Sequence, residues 1–161
     1  MIDKNNTYFL EMTRIEDAWQ TARHERDERK KQIIETCGWD SPELEAWYAE
    51  DKRIQFPFSG GEIKAYIAWK RSACDGTDKL EMSDFLWEKE AEDFIATLRK
   101  AGISSFVYTN TSTAVMENIH DLAHSGCRLD GLCTIEKPDL RWGGTGTETV
   151  RGIHFTILEA E

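Results

Sequence analysis

No run in this sequence approaches the roughly 18 consecutive apolar residues that a membrane-spanning helix needs; uncharged apolar stretches such as Tyr66 to Trp69 end after a few residues. The opening residues, MIDKNNTYFL, are polar and hold no cationic stretch followed by an apolar one. No secretory signal is therefore expected, and the expected location is cytoplasmic. Positive charge is also scarce: twenty Lys and Arg face thirty Asp and Glu, a net charge of −10. That balance argues against direct nucleic-acid binding, which needs clustered cations to displace counterions from phosphates. Four cysteines, Cys37, Cys74, Cys127 and Cys133, make an even count, but a reducing cytosol favours free thiols over two disulfides. Internal repeats and low-complexity segments are absent, and so is any strong catalytic or cofactor signature.

Large apolar side chains are plentiful. With 40% hydrophobic residues, six Trp and seven Phe, the chain is too rich in them to be a disordered acidic tail. Its 161 residues suit a single domain spanning 1–161, and a chain of that length buries roughly 68 to 70% of its unfolded surface.

Phe9, Met12, Ile15, Trp19 and Ala22 recur every three to four residues, and Ile33 and Ile34 resume the stripe, which predicts a long helix over about 7–36. The block HERDERKK within it mixes signs at helical spacing and reads as a solvated face. Ser41, Pro42 and Glu43 predict a helix start, because Ser caps free N–H groups, Pro is preset at the first position and acids meet the positive dipole end. Ile54 to Phe58 reads as a buried extended connector, since Pro57 biases Phe56 out of the helical region. Glu62 to Arg71 fits both periods, and its Glu, Lys and Ala content favours helix. Ser83 predicts the cap of a helix over about 84–101, stopped by Gly102.

Beyond Gly102 the period changes. Ser105 to Tyr108 reads as a strand and Thr111 to Ser125 as a helix with Val115, Met116, Ile119 and Leu122 inward. Cys127, Leu129, Gly131, Cys133 and Ile135 alternate as a second strand, and Ile153, Phe155 and Ile157 as a third. The predicted fold class is α+β: a helical part over about 7–101, then a β-α-β-β unit over about 103–159, its small sheet packed by helices on one face.

The sharpest chemical constellation is His120, His124, Cys127 and Cys133. Two histidines four apart share a helical face, and two thiols on one strand face supply the remaining ligand types of a tetrahedral zinc site. The spacing matches no standard zinc finger, and the same cysteines alternate with Leu129 and Ile135 as core residues do. Cysteine-dependent catalysis lacks an oxyanion turn or nucleophile elbow around any thiol. Gly143-Gly144-Thr145-Gly146-Thr147 has neither the Lys of a P-loop nor a following helix, so it reads as a hairpin connection. Ser112 and Thr113 sit where a helix start can hold an anion, or simply where a cap belongs. Residues 1–50 carry twelve acids against seven bases and residues 101–161 eight against four. Such excess suits a basic groove on a partner, with Glu11, Glu16 and Asp17 on the first helix as candidate contacts.

At IQFPFSGGEIKAYIAWKR (Ile54 to Arg71) and FVYTNTSTAVMENIHDLAHSGCRLDGLCTIEK (Phe106 to Lys137) the sequence resembles a family of small uncharacterised proteins carried by plasmids and conjugative elements of anaerobic gut bacteria. The likeness runs through GIHFTI and attaches no catalytic signature. It implies an accessory protein that acts by binding other proteins, in the manner of anti-CRISPR inhibitors. The expectation is thus a non-enzymatic binder of a basic protein such as a CRISPR effector nuclease, with no cofactor. The alternative is a small zinc- or ligand-binding protein using the His120, His124, Cys127 and Cys133 cluster.

Overall fold

The computed structural model describes residues 1–143 and 145–159, apart from the Trp142 side chain. The chain is α+β, with helices leading and a four-stranded mixed sheet following. It forms two compact units, Met1–Leu10 with Phe58–Glu161, and Glu11–Pro57. No described helix is long and apolar enough to cross a membrane.

The Glu11–Pro57 unit holds most of helix α1 (Thr7–Cys37) and all of α2 (Pro42–Asp51). The α2 start follows its sequence cues: the Ser41 side chain accepts from Leu44 N, Pro42 opens the helix, and Glu43 and Glu45 lie in the first turn. The Trp47 indole donates to the Arg26 carbonyl at 3.2 Å, and Lys30 lies over the Trp47 and Tyr48 rings. Along α1 the apolar stripe fades after Trp19, and Ala22 is exposed. The expected buried connector is corrected, because Ile54 and Phe56 are exposed. Phe56 meets Trp19 edge-on at 4.9 Å, a surface contact that needs no second covering layer.

In the larger unit, the ambiguous segment is α3 (Gly60–Asp75). A reciprocal capping box decides it: Ser59 accepts from Glu62 N while the Glu62 carboxylate accepts from Ser59 N. Ala65, Tyr66, Ala68 and Trp69 form its buried stripe, and Phe9 stacks on Trp69 at 5.0 Å. The next helix, α4 (Glu90–Lys100), starts six residues later than the sequence predicts. It crosses α3 at Gly61, where an added Cβ would meet the Glu90 carbonyl oxygen and come within 2.8 Å of Phe94 N.

The sheet runs β1 (Glu81–Met82), β2 (Ser105–Tyr108), β4 (Thr147–Ile157), β3 (Cys127–Pro138), with β1 parallel to β2 and the other pairs antiparallel. Strand β1 has no sequence signal because two residues cannot alternate. Phe106 lies opposite Phe155 and stacks on it at 5.3 Å, while Phe94 of α4 meets Phe106 edge-on at 5.4 Å. Helix α5 (Val115–His124) is shorter than its periodicity suggests, and Met116, expected inward, is 59% exposed. In β3 a bulge between Leu129 and Gly131 shifts the register. Cys127 is buried before it and Ile135 after it, but Leu129, expected in the core, is 47% exposed. The glycine hairpin connection contains a short 3₁₀ turn at Arg141–Gly143 and a bond from Asp139 N to the Gly146 carbonyl; Gly144 falls outside the described residues.

Candidate functional site

The four candidate zinc ligands do not converge. His120 and His124 are exposed on α5, and the His124 Nδ1 is engaged by the His120 carbonyl at 2.7 Å. Cys127 begins β3 and Cys133 lies six residues along the same strand, a separation on the order of 20 Å at strand rise. Burial pushes the Cys127 thiol up to about 12, with Arg99 opposing the rise, so it is held as a neutral thiol. Among the described residues, no three His, Cys, Asp or Glu side chains are grouped to hold a metal ion.

The three acids singled out on α1 also diverge. At 100° per residue, Glu16 and Asp17 lie roughly 140° and 240° around the helix from Glu11, so they form no common face. Glu11 is further engaged by a bidentate pair with Arg14, at 2.9 and 2.6 Å. Ser112 and Thr113 are exposed and stand three and two residues before α5, whose N-cap is Ala114 with no side-chain cap bond.

Two clusters that sequence reasoning missed are assembled instead. The first sits at the β3 bulge, where Gly131 takes a φ of +140°, a backbone conformation open mainly to glycine. There the Asp130 carboxylate accepts from Thr156 Oγ1 at 2.6 Å, Arg128 Nε at 2.8 Å and His154 Nδ1 at 2.7 Å. The Thr156 and Arg128 bonds, with His154 adding to them, hold the Asp130 carboxyl well below the usual carboxylate range. Among the described residues no hydroxyl or thiol hydrogen-bonds to His154, so this arrangement orients an imidazole and brings no nucleophile to it.

The second is the loop of residues 83–89 leading into α4. Its backbone is fixed from both sides. Asn118, fully buried on α5, accepts from Leu86 N at 2.9 Å and donates to the Leu86 carbonyl at 2.7 Å, and its oxygen also receives the Tyr108 hydroxyl at 2.7 Å. Burial, with Asp84 nearby, pushes Tyr108 up to about 12, which keeps that hydroxyl a donor. At the far end, Trp87 N donates to the Glu90 carboxylate at 2.8 Å, and Lys64 bridges Glu90 and the Phe85 carbonyl. Lys89, the α4 N-cap, stands at φ 71°, the only non-glycine with positive φ among the described residues.

This fixed loop presents an exposed indole among carboxylates. Trp87 is 64% exposed and meets Phe85 edge-on at 4.8 Å. Residues 84–93 hold five acids, Asp84, Glu88, Glu90, Glu92 and Asp93, against Lys89 alone, a net charge of −4. Glu88, Glu92 and Asp93 are exposed and form no salt bridge among the described residues. The positive helix end, worth about half a charge, is outweighed. The alternating DFLWEKEAED stretch carries a trace of this arrangement in the Trp flanked by acids, but the helical periodicity of Leu86, Trp87 and Phe94 hides it.

Residues 64–157 match the family described as a domain of unknown function (DUF7698), more than half of the chain. No curated protein and no solved structure matches.

Proposed function

Starting from the chain's membership of the DUF7698 family, we propose that it is a non-enzymatic, acidic protein-binding module whose partner presents a basic surface. The observation that carries this reading is the fixed loop before α4, with exposed carboxylates that form no salt bridge among the described residues. A group already paired inside the chain gains little from an incoming cation, whereas Glu88, Glu92 and Asp93 are exposed and without a salt bridge among the described residues. The net charge of −10 adds a long-range field of the same sign. Proteins that handle nucleic acid carry basic grooves of this complementary kind. A CRISPR effector nuclease met in the cytoplasm, inhibited by an accessory protein of a mobile element, is the partner class we propose.

Such association is steered by charge, so it should slow as salt rises, because exposed charges more than about 8 Å apart are screened near physiological ionic strength. The test is capture of partners from a bacterial lysate at low and raised salt, by wild type and by a Glu88→Lys, Glu92→Lys variant, with identification of the captured chains. Basic proteins enriched at low salt and lost in the variant are the expected result. A chain that captures nothing at any salt but turns over a compound in an unbiased small-molecule screen is an enzyme instead.

A further inference from the structure

Five rings in this protein carry a cation over their faces. Arg23 lies over Trp19, Lys30 over Trp47 and Tyr48, Lys64 over Phe85 and Lys70 over Tyr66, all with the charge 4.6 to 5.5 Å from the ring centre. Two strongly exposed indoles, Trp39 at 71% and Trp87 at 64%, have no cation over them among the described residues. Both stand beside acids: Trp39 precedes Asp40, and Trp87 precedes Glu88. They differ in how firmly they are held. No ring contact holds Trp39 among the described residues, whereas Trp87 rests against Phe85, its backbone is tied to Glu90, and the preceding residue is clamped by Asn118. A pre-positioned ring loses less freedom on binding.

We propose that Trp87 is the anchor for an arginine side chain of the partner, the guanidinium stacking on the indole while Glu88, Glu92 and Asp93 receive its charge and that of neighbouring basic residues. This rests on the acidic-module reading above and names the contact that reading uses. Arginine fits better than lysine because its planar, weakly hydrated guanidinium can stack on the ring and still direct N–H groups sideways to carboxylates. Tryptophan surrounded by polar groups is the residue type that dominates binding energy at protein interfaces.

The experiment uses hexa-arginine and hexa-lysine peptides as probes and follows the six indole N–H signals and the backbone amides by two-dimensional NMR. Hexa-arginine should move the Trp87 indole and the amides of residues 84–93 first, and should bind more tightly than hexa-lysine. Trp87→Ala should weaken hexa-arginine binding about fivefold or more, Trp87→Phe should restore part of the loss, and Glu43→Gln with Glu45→Gln should change little. If hexa-arginine binds with Trp87 unmoved, or if Trp87→Ala binds as wild type does, the anchor is wrong while the acidic-module reading stands. If neither peptide binds at low salt, both fall together.

Discussion

Asn118 shows how much one side chain can organise. It is 1% exposed and satisfies three groups, the Leu86 N–H, the Leu86 carbonyl and the Tyr108 hydroxyl. Removing a partner from a buried polar group costs about 1 to 3 kcal/mol for each group left unsatisfied. Asn118→Ala should therefore lower unfolding free energy by about 3 kcal/mol or more in a urea titration, and should speed hydrogen exchange at Leu86 and Trp87. Asp130 acts through charge. Its carboxyl titrates lower folded than unfolded, so the stability it adds is complete above the unfolded value near 4 and is lost as pH falls below that toward its folded value. The stability gap between wild type and Asp130→Asn, measured by urea unfolding at pH 6, 4 and 3, should shrink with acidity; a gap constant across that range would mean the carboxylate contributes no charge-dependent stability. Thiol chemistry should separate equally clearly. Cys37 and Cys74 are exposed and Cys127 is buried with its thiol raised to about 12, so iodoacetamide followed by mass spectrometry should label the first two in native protein and Cys127 only on unfolding.

Among the elements, those with strong local signals were legible and those made by distant contacts were not. Ser41-Pro42-Glu43 announces α2 because its capping atoms are adjacent in the chain, and the α3 box at Ser59 and Glu62 is equally local. The late start of α4 was not legible, because the competing interaction comes from Asn118, 32 residues beyond Leu86. The zinc candidates failed for a related reason: shared strand parity says nothing of distance along the strand. Lys89 is a local cost of the arrangement. A non-glycine side chain in the left-handed region is strained by about 1 kcal/mol, so Lys89→Gly should leave α4 stability unchanged or slightly raised despite glycine's greater unfolded freedom. A large loss on that change would show that the lysine side chain itself supports the loop.

At the scale of the molecule, the sheet core is aromatic and sits where α4 meets β2 and β4. Phe94, Phe106 and Phe155 are all fully buried and in ring contact, so Phe155→Ala should cost about 3 to 5 kcal/mol by thermal or urea unfolding. Leu129→Ala, at a position the alternation had placed in the same interior, should cost far less, since Leu129 is largely in solvent. The β3 bulge, which begins just beyond Leu129, has a consequence of its own. Alternation in a strand is a parity, and the extra residue between Leu129 and Gly131 reverses it partway along. Cys127 and Leu129 share the face of their β4 partners Ile157 and Phe155, and Leu132, opposite Ile153, is on that face too, whereas Ile135, opposite Val150, belongs to the other face. The hairpin can be read as two halves written in opposite phase, joined by a single counting residue. Deleting Asp130 would remove the extra residue and leave those β4 partners in place, so Leu132 and Ile135 should keep their faces and the loss of stability should come from the missing Asp130 bonds to Arg128, His154 and Thr156.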